Sequence, residues 1–231
     1  MQSSMLSSII GAFLSIATFL EVDEKKISSQ KDSLQNKPKN ISVTEKKRRF
    51  FALLVPAIQQ VYSELQQQYI ETKALVETDP TNEKVLKLMK EYNAKTPQNL
   101  LVRMKPHPKS IALAQSAMES AWGTSRFFKE ANNVFGVWSF NKNEPRIPAS
   151  QKRGNTTIYI KKYNSIHDSI RDYYKVLATK KAFKEFRKEK METNDPDNLV
   201  KYLDKYSERG DEYGKELKSM IRHNKLKLYD K

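Results

Sequence analysis

The chain contains no cysteine. Disulfides, thiolate metal sites and a cysteine nucleophile are therefore excluded. Histidine is nearly as scarce: only His107, His167 and His223 occur, and their scatter along the sequence supplies no histidine-based zinc motif. Glycine is held to 6 of 231 residues, and no glycine-rich loop is present to cradle a nucleotide's phosphates. Acidic residues are outnumbered, 27 Asp and Glu against 42 Lys and Arg, leaving a formal charge of +15. Such a surface attracts polyanions, whether nucleic acid, anionic lipid or an acidic cell wall, and charge alone does not choose among them. No recognised binding motif accompanies the charge, so no nucleic-acid partner is expected.

What is present suffices for a folded core. Hydrophobic residues make up 38% and aromatics 10%, which describes a soluble globular protein and neither a disordered chain nor a polytopic membrane protein. The length fits one domain with accessories, or at most two small ones. One uncharged run, Met5 to Leu20, ends abruptly at Glu21. It is shorter than the roughly 20 residues of a spanning helix and suits the core of an export signal. Residues 1–20 thus read as a signal peptide or membrane anchor, and the protein as exported to the periplasm or cell envelope. Residues 21–44 are rich in Ser, Asn and Lys and read as a flexible linker.

Residues 45–104 read as a helical brace. Phe51, Leu54, Val55, Ile58, Val61, Tyr62, Leu65 and Tyr69 recur at three- and four-residue spacing, the mark of a helix with one buried stripe from Glu45 to about Val76. Pro56 either kinks this helix or starts a second. Further helical segments are expected over Asn82 to Tyr92 and Leu100 to Met104. Pro108 opens the next helix, which runs to Ala121 with Gly123 as its stop, and Thr124 caps a short helix through Lys129. Asn132 to Phe140, a loop with Pro145, Pro148 and Gly154, and the strand-like Thr156 to Tyr163 form a small hairpin-like β element. Ser165 and Asp168 begin a helix over Ile166 to Thr179. Asp195-Pro196 starts another that runs to Tyr206, and Tyr213 to His223 forms the last. The fold class is mainly α (α+β), without an internal repeat.

One helix carries chemistry. Glu119 shares its face with Ala112, Gln115 and Ser116, while Ile111, Ala114, Met118 and Trp122 form the apolar stripe. A helix that delivers one carboxylate into a groove opposite a small β element can hold an acid catalyst over a glycosidic bond. The acid must stay protonated near neutral pH to protonate the leaving oxygen, and burial against Trp122 and the Phe135 to Trp138 segment would achieve that. Sugar rings stack their C–H faces on aromatics, for which Trp122, Trp138, Tyr159, Tyr163, Tyr206 and Tyr213 are candidates. A glutamate on a helix is more often a solvated surface residue, and such aromatics are more often core.

Ordered motifs sharpen this reading. Ala114 to Phe127 (AQSAMESAWGTSRF) with Asn132 to Trp138 (NNVFGVW), then Tyr163 to Leu177 (YNSIHDSIRDYYKVL) and Tyr206 to Tyr213 (YSERGDEY), resemble the glucosaminidase domain of glycoside hydrolase family 73 and its relatives. Including the brace, over about Phe50 to Asp230, the chain most resembles the bacterial Bax-type members. The resemblance implies a lysozyme-like helical domain with a small β lobe over residues 105–231. It also implies an endo-β-N-acetylglucosaminidase that cuts peptidoglycan after N-acetylglucosamine. Glu119 then matches the general acid and Tyr206 the tyrosine that stabilises the transition state. Trp138, Asn133 and Tyr213 match positions that line or shape the cleft, with Tyr163 and Trp122 as further substrate-binding candidates. Members of the family that use a second carboxylate carry it on the β lobe, yet Thr156 to Tyr163 contains no Asp or Glu. Glu144 is the nearest candidate and would have to stand about 5 to 10 Å from Glu119; otherwise the substrate's acetamide serves as nucleophile. A muramidase, a lytic transglycosylase or a wall-binding protein would use related features. The chemistry requires neither metal nor cofactor. Clusters such as Lys46 to Arg49, Lys152-Arg153, Lys161-Lys162 and Lys180 to Lys190 would draw the protein to an anionic wall.

Overall fold

The computed structural model describes residues 41–153 and 156–231, together with Ser29 and Lys31. The expected signal or anchor over residues 1–20, and most of the expected linker, lie outside the described residues. The chain divides into two units, residues 1–53 and 54–231. Helix α1 (Val43–Thr78) contains Pro56 within one helix rather than starting a second. In the first unit Ser42 Oγ accepts the Glu45 N–H at 3.1 Å. The Glu45 carboxylate meets the Arg48 and Arg49 guanidinium groups at 2.7 and 2.6 Å, and those two partners bring it down to about 2.

The second unit opens with the rest of α1. Asn82 caps α2 (Glu83–Glu91) by accepting from the Lys84 N–H, and Thr96 caps α3 (Pro97–Met104), which has proline in its first turn. Val76, Val85, Leu88, Tyr92, Leu100 and Met104 form a shared core with Ala178, which lies on α6 (Ile166–Thr179).

Helix α4 (Lys109–Glu119) is buried along its whole middle, Ser110 to Ala117. Its Ala and Ser side chains let neighbours approach from every side. The helix ends at Glu119 rather than at the expected Ala121. Ala121, Trp122 and Gly123 follow in the left-handed region, with φ of 50°, 61° and 73°. The cause is local: Ser120 Oγ donates to the Ser116 carbonyl at 2.6 Å and accepts the Gly123 N–H at 2.8 Å, while the Trp122 N–H returns to the Ala117 carbonyl at 2.9 Å. Holding alanine and tryptophan there costs about 1 to 2 kcal/mol each. Ser125, not Thr124, caps α5 (Arg126–Ala131).

The β lobe is a three-stranded antiparallel sheet rather than a simple hairpin. Strands β1 (Trp138–Ser139), β2 (Arg146–Arg153) and β3 (Thr156–Lys161) lie in the order β1-β3-β2, with Ile160 paired to both Trp138 and Ile147. The segment expected as a loop is largely β2. Pro148 sits on this edge strand, where the register shifts, and an edge tolerates a residue without an N–H.

Helix α6 keeps its expected bounds, with Ser165 accepting the Asp168 N–H. A 3₁₀ turn (Lys181–Phe183) and α7 (Lys184–Glu192), absent from the sequence expectation, come next. Arg187 and Lys190 on α7 are buried. Arg187 donates to the Leu177 and Lys180 carbonyls at 2.9 and 2.7 Å, and Lys190 donates to the carbonyls of Arg103 and Lys105. Part of the Lys180 to Lys190 run therefore ties the fold together instead of facing solvent. Burial holds Arg187 down to about 10 and Lys190 down to about 7. The helix expected from Asp195 to Tyr206 is α8 (Pro196–Leu199) followed by a 3₁₀ segment (Val200–Tyr206) broken at Leu203. Helix α9 (Asp211–His223) and a last 3₁₀ turn (Leu226–Asp230) complete the chain.

Candidate active site

Glu119 closes α4, where the helix's unpaired carbonyls place partial negative charge. Its carboxyl is largely buried. Burial pushes it above the ordinary glutamate range, with Glu216 adding to the rise, while the hydrogen bond from Tyr213 and the charge of Arg209 oppose it. Burial wins, so the group retains its proton to a higher pH than a free glutamate, as an acid catalyst requires. The Tyr213 hydroxyl donates to Glu119 Oε1 at 2.8 Å.

Behind this pair runs a buried line of polar groups. Gln115 Nε2 donates to the Tyr213 oxygen at 2.9 Å, the Tyr173 hydroxyl donates to Gln115 Oε1 at 2.6 Å, and His107 Nε2 lies 2.9 Å from the Tyr173 oxygen. Gln115, Tyr173, Tyr213 and His107 are all buried. Burial, with Lys190 nearby, holds His107 well below the usual histidine range, so its ring is neutral. The Phe135 ring stacks on Tyr173 at 3.9 Å and 9°, and Tyr213 stacks on Tyr206 at 5.6 Å and 5°.

In front lies a groove of about 470 Å³ whose walls include Gly136, Trp138, Phe140, Glu144 and Tyr206. Trp138 is 40% exposed and Phe140 80%; their rings stand 6.2 Å apart. Gly136, at φ +67°, joins groove to acid: a Cβ there would lie 3.9 Å from Glu119 Oε2. Glu119 is not itself among the groove's wall residues; Oε2 is its oxygen nearest Gly136, which is one of them.

The predicted residues thus fall into three sets. Glu119, Tyr213 and Tyr206 gather together, but the phenol that reaches Glu119 is Tyr213. Tyr206 gives its proton to the Phe135 carbonyl at 3.1 Å. Trp138 and Glu144 share the groove wall with Tyr206. Glu144 accepts from Ser139 Oγ at 2.7 Å and faces Lys161 Nζ at 3.8 Å. Lys161 is itself held by Asp172 at 3.0 Å, which also accepts the Tyr163 hydroxyl at 2.7 Å. Tyr163 is therefore occupied in this network. Asn133 is buried and holds the loop from below: its Nδ2 donates to the carbonyls of Val137 and Lys161, and its Oδ1 accepts the Val137 N–H. Trp122 rides the left-handed turn after Glu119. Sequence reasoning did not single out Phe140, Gly136, Tyr173 or His107 as site residues. Phe140 carried a signal, lying two residues beyond Trp138 in a strand-like segment.

A carboxyl whose hold on its proton is strengthened by burial, near an aromatic-walled groove, fits the apparatus of a glycoside hydrolase. The chain belongs to the glucosaminidase family, whose model, described as mannosyl-glycoprotein endo-beta-N-acetylglucosaminidase, matches residues 98–226, more than half of its length. It is 28% identical over 137 residues to Protein bax of Escherichia coli strain K12, a match covering 56% of this chain and 48% of that protein. It therefore spans about half the length of that relative. Similar solved structures include the catalytic domain of the autolysin Auto from Listeria monocytogenes, at 20% identity and a TM-score of 0.44 over 84% of this chain and 100% of that one. A peptidoglycan hydrolase from Sphingomonas sp. A1 is similar at 19% identity and a TM-score of 0.45, over 58% of this chain and 86% of that one. The glycoside hydrolase domain of FlgJ from Salmonella typhimurium is similar at 22% identity and a TM-score of 0.41, over 56% and 83%.

Proposed function

We propose that the protein hydrolyses peptidoglycan as an endo-β-N-acetylglucosaminidase, with Glu119 as general acid. The observation that carries this reading is the Glu119 carboxyl itself, largely removed from water at a helix end, with its Oε2 beside Gly136 of the groove wall. Family membership supports cleavage at N-acetylglucosamine, and the peptidoglycan hydrolases among similar proteins suggest the polymer. Glycan residues stack on Trp138 and Phe140. The acid's proton passes to the bridging oxygen as the bond to the anomeric carbon breaks, and water completes the hydrolysis. Tyr206, its proton given to Phe135, keeps oxygen lone pairs for the positive charge that develops on the sugar.

Two routes complete the displacement. In the first, Glu144 acts as second carboxylate; in the second, the substrate's acetamide attacks and Glu144 only shapes the groove. Its engagement with Ser139 and Lys161 favours the second. Export to the cell envelope, with residues 1–20 as signal or anchor, belongs to the same reading, and the basic surface aids contact with an anionic wall.

Purified sacculi digested with the full-length protein, reduced with borohydride and analysed by mass spectrometry test this proposal. Reduced N-acetylglucosamine ends that vanish in Glu119→Gln are expected. N-acetylmuramic or anhydro ends would replace the bond assignment with that of a muramidase or lytic transglycosylase, and tight binding without products would replace it with wall binding. A Glu144→Gln protein with turnover intact supports the acetamide route, whereas a loss of about 100-fold or more removes it.

A further inference from the structure

Glu119 has two carboxyl oxygens, and a general acid works only if its proton sits on the one that faces the substrate. Oε2 is the candidate, because it is the oxygen nearest Gly136, a residue of the groove wall, whereas Oε1 is taken by Tyr213. What keeps the proton off Oε1 lies deeper in the protein. Tyr213 already fills Oε1 with its own O–H. A phenol has one proton, and it would go equally well to a carbonyl on the other side of its oxygen. Gln115 prevents this by presenting its Nε2 donor, not its Oε1, to that oxygen. The amide in turn is turned this way because its Oε1 accepts the Tyr173 proton. With its proton so committed, the Tyr173 oxygen must accept from His107, so His107 carries its proton on Nε2.

We propose that Gln115, Tyr173 and His107 are positioning residues for Glu119, forming with Tyr213 a one-way chain of hydrogen bonds that reserves Oε2 as the seat of the catalytic proton. The inference rests on the reading of Glu119 as the acid, and it reaches residues that touch no substrate. The four links join α4, α6, α9 and the segment before α4, so the direction of donation is a tertiary property. Rotating the amide alone would leave buried donors and acceptors facing their like, and reversing the whole chain also requires His107 to move its proton to Nδ1. His107, Gln115, Tyr173 and Tyr213 are all buried, so the chain lies out of contact with solvent.

The test needs no substrate and so stands apart from the glycosidase reading. The Glu119 carboxyl is titrated by NMR in protein carrying ¹³C-labelled glutamate, with its signal assigned by its loss in Glu119→Gln. The groups that face it are Arg209 and Glu216, Tyr213 on α9, Tyr206 and Tyr173; of these the variants alter only the phenols. Tyr213→Phe removes the donor and raises the midpoint by roughly one unit. Tyr173→Phe keeps the stacked ring but frees the amide to rotate and accept from Tyr213. It therefore raises the midpoint by a large part of the same amount, and the double variant goes no higher than Tyr213→Phe alone. A midpoint unmoved in Tyr173→Phe, or shifts that add, would overturn the proposal. The unmutated protein offers a second reading that no folding defect can obscure. Its histidine ¹⁵N spectrum is expected to show His107 as the Nε2–H tautomer, and an Nδ1–H tautomer would run the chain backwards and refute it.

Discussion

Gly214→Ala sets two known effects against each other, and the structure decides the winner. Gly214 lies within α9 immediately after Tyr213. By helix propensity alone, alanine there should stabilise by up to about 1 kcal/mol. The added methyl, however, would meet the Val200 carbonyl oxygen at 2.8 Å, with Val200 C and Lys201 Cα both at 3.5 Å. These are backbone atoms and cannot swing aside, so α9 must move away from the 3₁₀ segment by roughly half an ångström to restore contact distance. Overpacking of this kind costs about 1 to 3 kcal/mol. The net effect is a loss of about 1 to 2 kcal/mol, or a fall in Tm of about 2 to 8 °C for a domain of this size. The displaced turn carries Tyr213, whose 2.8 Å bond to Glu119 would stretch beyond about 3.2 Å and weaken. Thermal melts by circular dichroism and sacculus turnover are the assays. Lower Tm with reduced turnover is expected; a raised Tm with full turnover would show that propensity outweighs the close approach, and would refute the reasoning.

Other substitutions test the site from different sides. In Glu119→Gln activity is lost and stability changes with pH. The folded protein raises this group's pKa, so its contribution to stability is fully present below the unfolded value and is lost as pH rises through the folded value. Glu119→Gln should therefore melt above the wild type at about pH 8, with the difference closing toward pH 4; a constant difference would contradict the burial argument. Gly136→Ala forces alanine to φ +67° and sets a methyl 3.9 Å from Oε2. About 1 to 2 kcal/mol of stability goes to strain, and turnover falls by about 100-fold as the substrate oxygen is displaced; unchanged turnover would mean that substrate approaches from elsewhere. Trp138→Ala and Phe140→Ala remove exposed rings, so stability shifts by no more than about 0.5 kcal/mol. KM rises about two- to ten-fold with kcat little changed, and steady-state kinetics on soluble glycan fragments would show a fall in kcat instead if the rings act on the chemistry.

Local signals were legible in the residues themselves. Ser165 and Asp168, with apolar positions at Ile166, Ile170, Tyr173 or Tyr174, and Leu177, give α6 the bounds it has, because caps and stripes depend on neighbours within a few positions. The motif around Glu119 marked the end of α4 and the segment after α5 for the same reason. Where strong local cues were absent or misleading, the reading slipped. Gly123 advertised a helix stop, but Ser120 ends α4 sooner by engaging the Ser116 carbonyl and the Gly123 N–H. Two prolines disguised β2, and the charged run over α7 concealed a face on which Phe186, Arg187 and Lys190 are buried.

The sequence by itself determined that this is a mainly helical member of a glycoside hydrolase family, with one carboxylate on a helix and aromatics near it. Only the tertiary structure decided which tyrosine holds that carboxylate, which glycine lies beside it, and which buried polar groups line up behind it. Tyr213 and Glu119 stand 94 residues apart in the chain, Tyr173 and Gln115 58, and His107 and Tyr173 66. Periodicity and capping speak over a few residues, whereas the partner of a buried hydroxyl is settled by whichever helix packs across it.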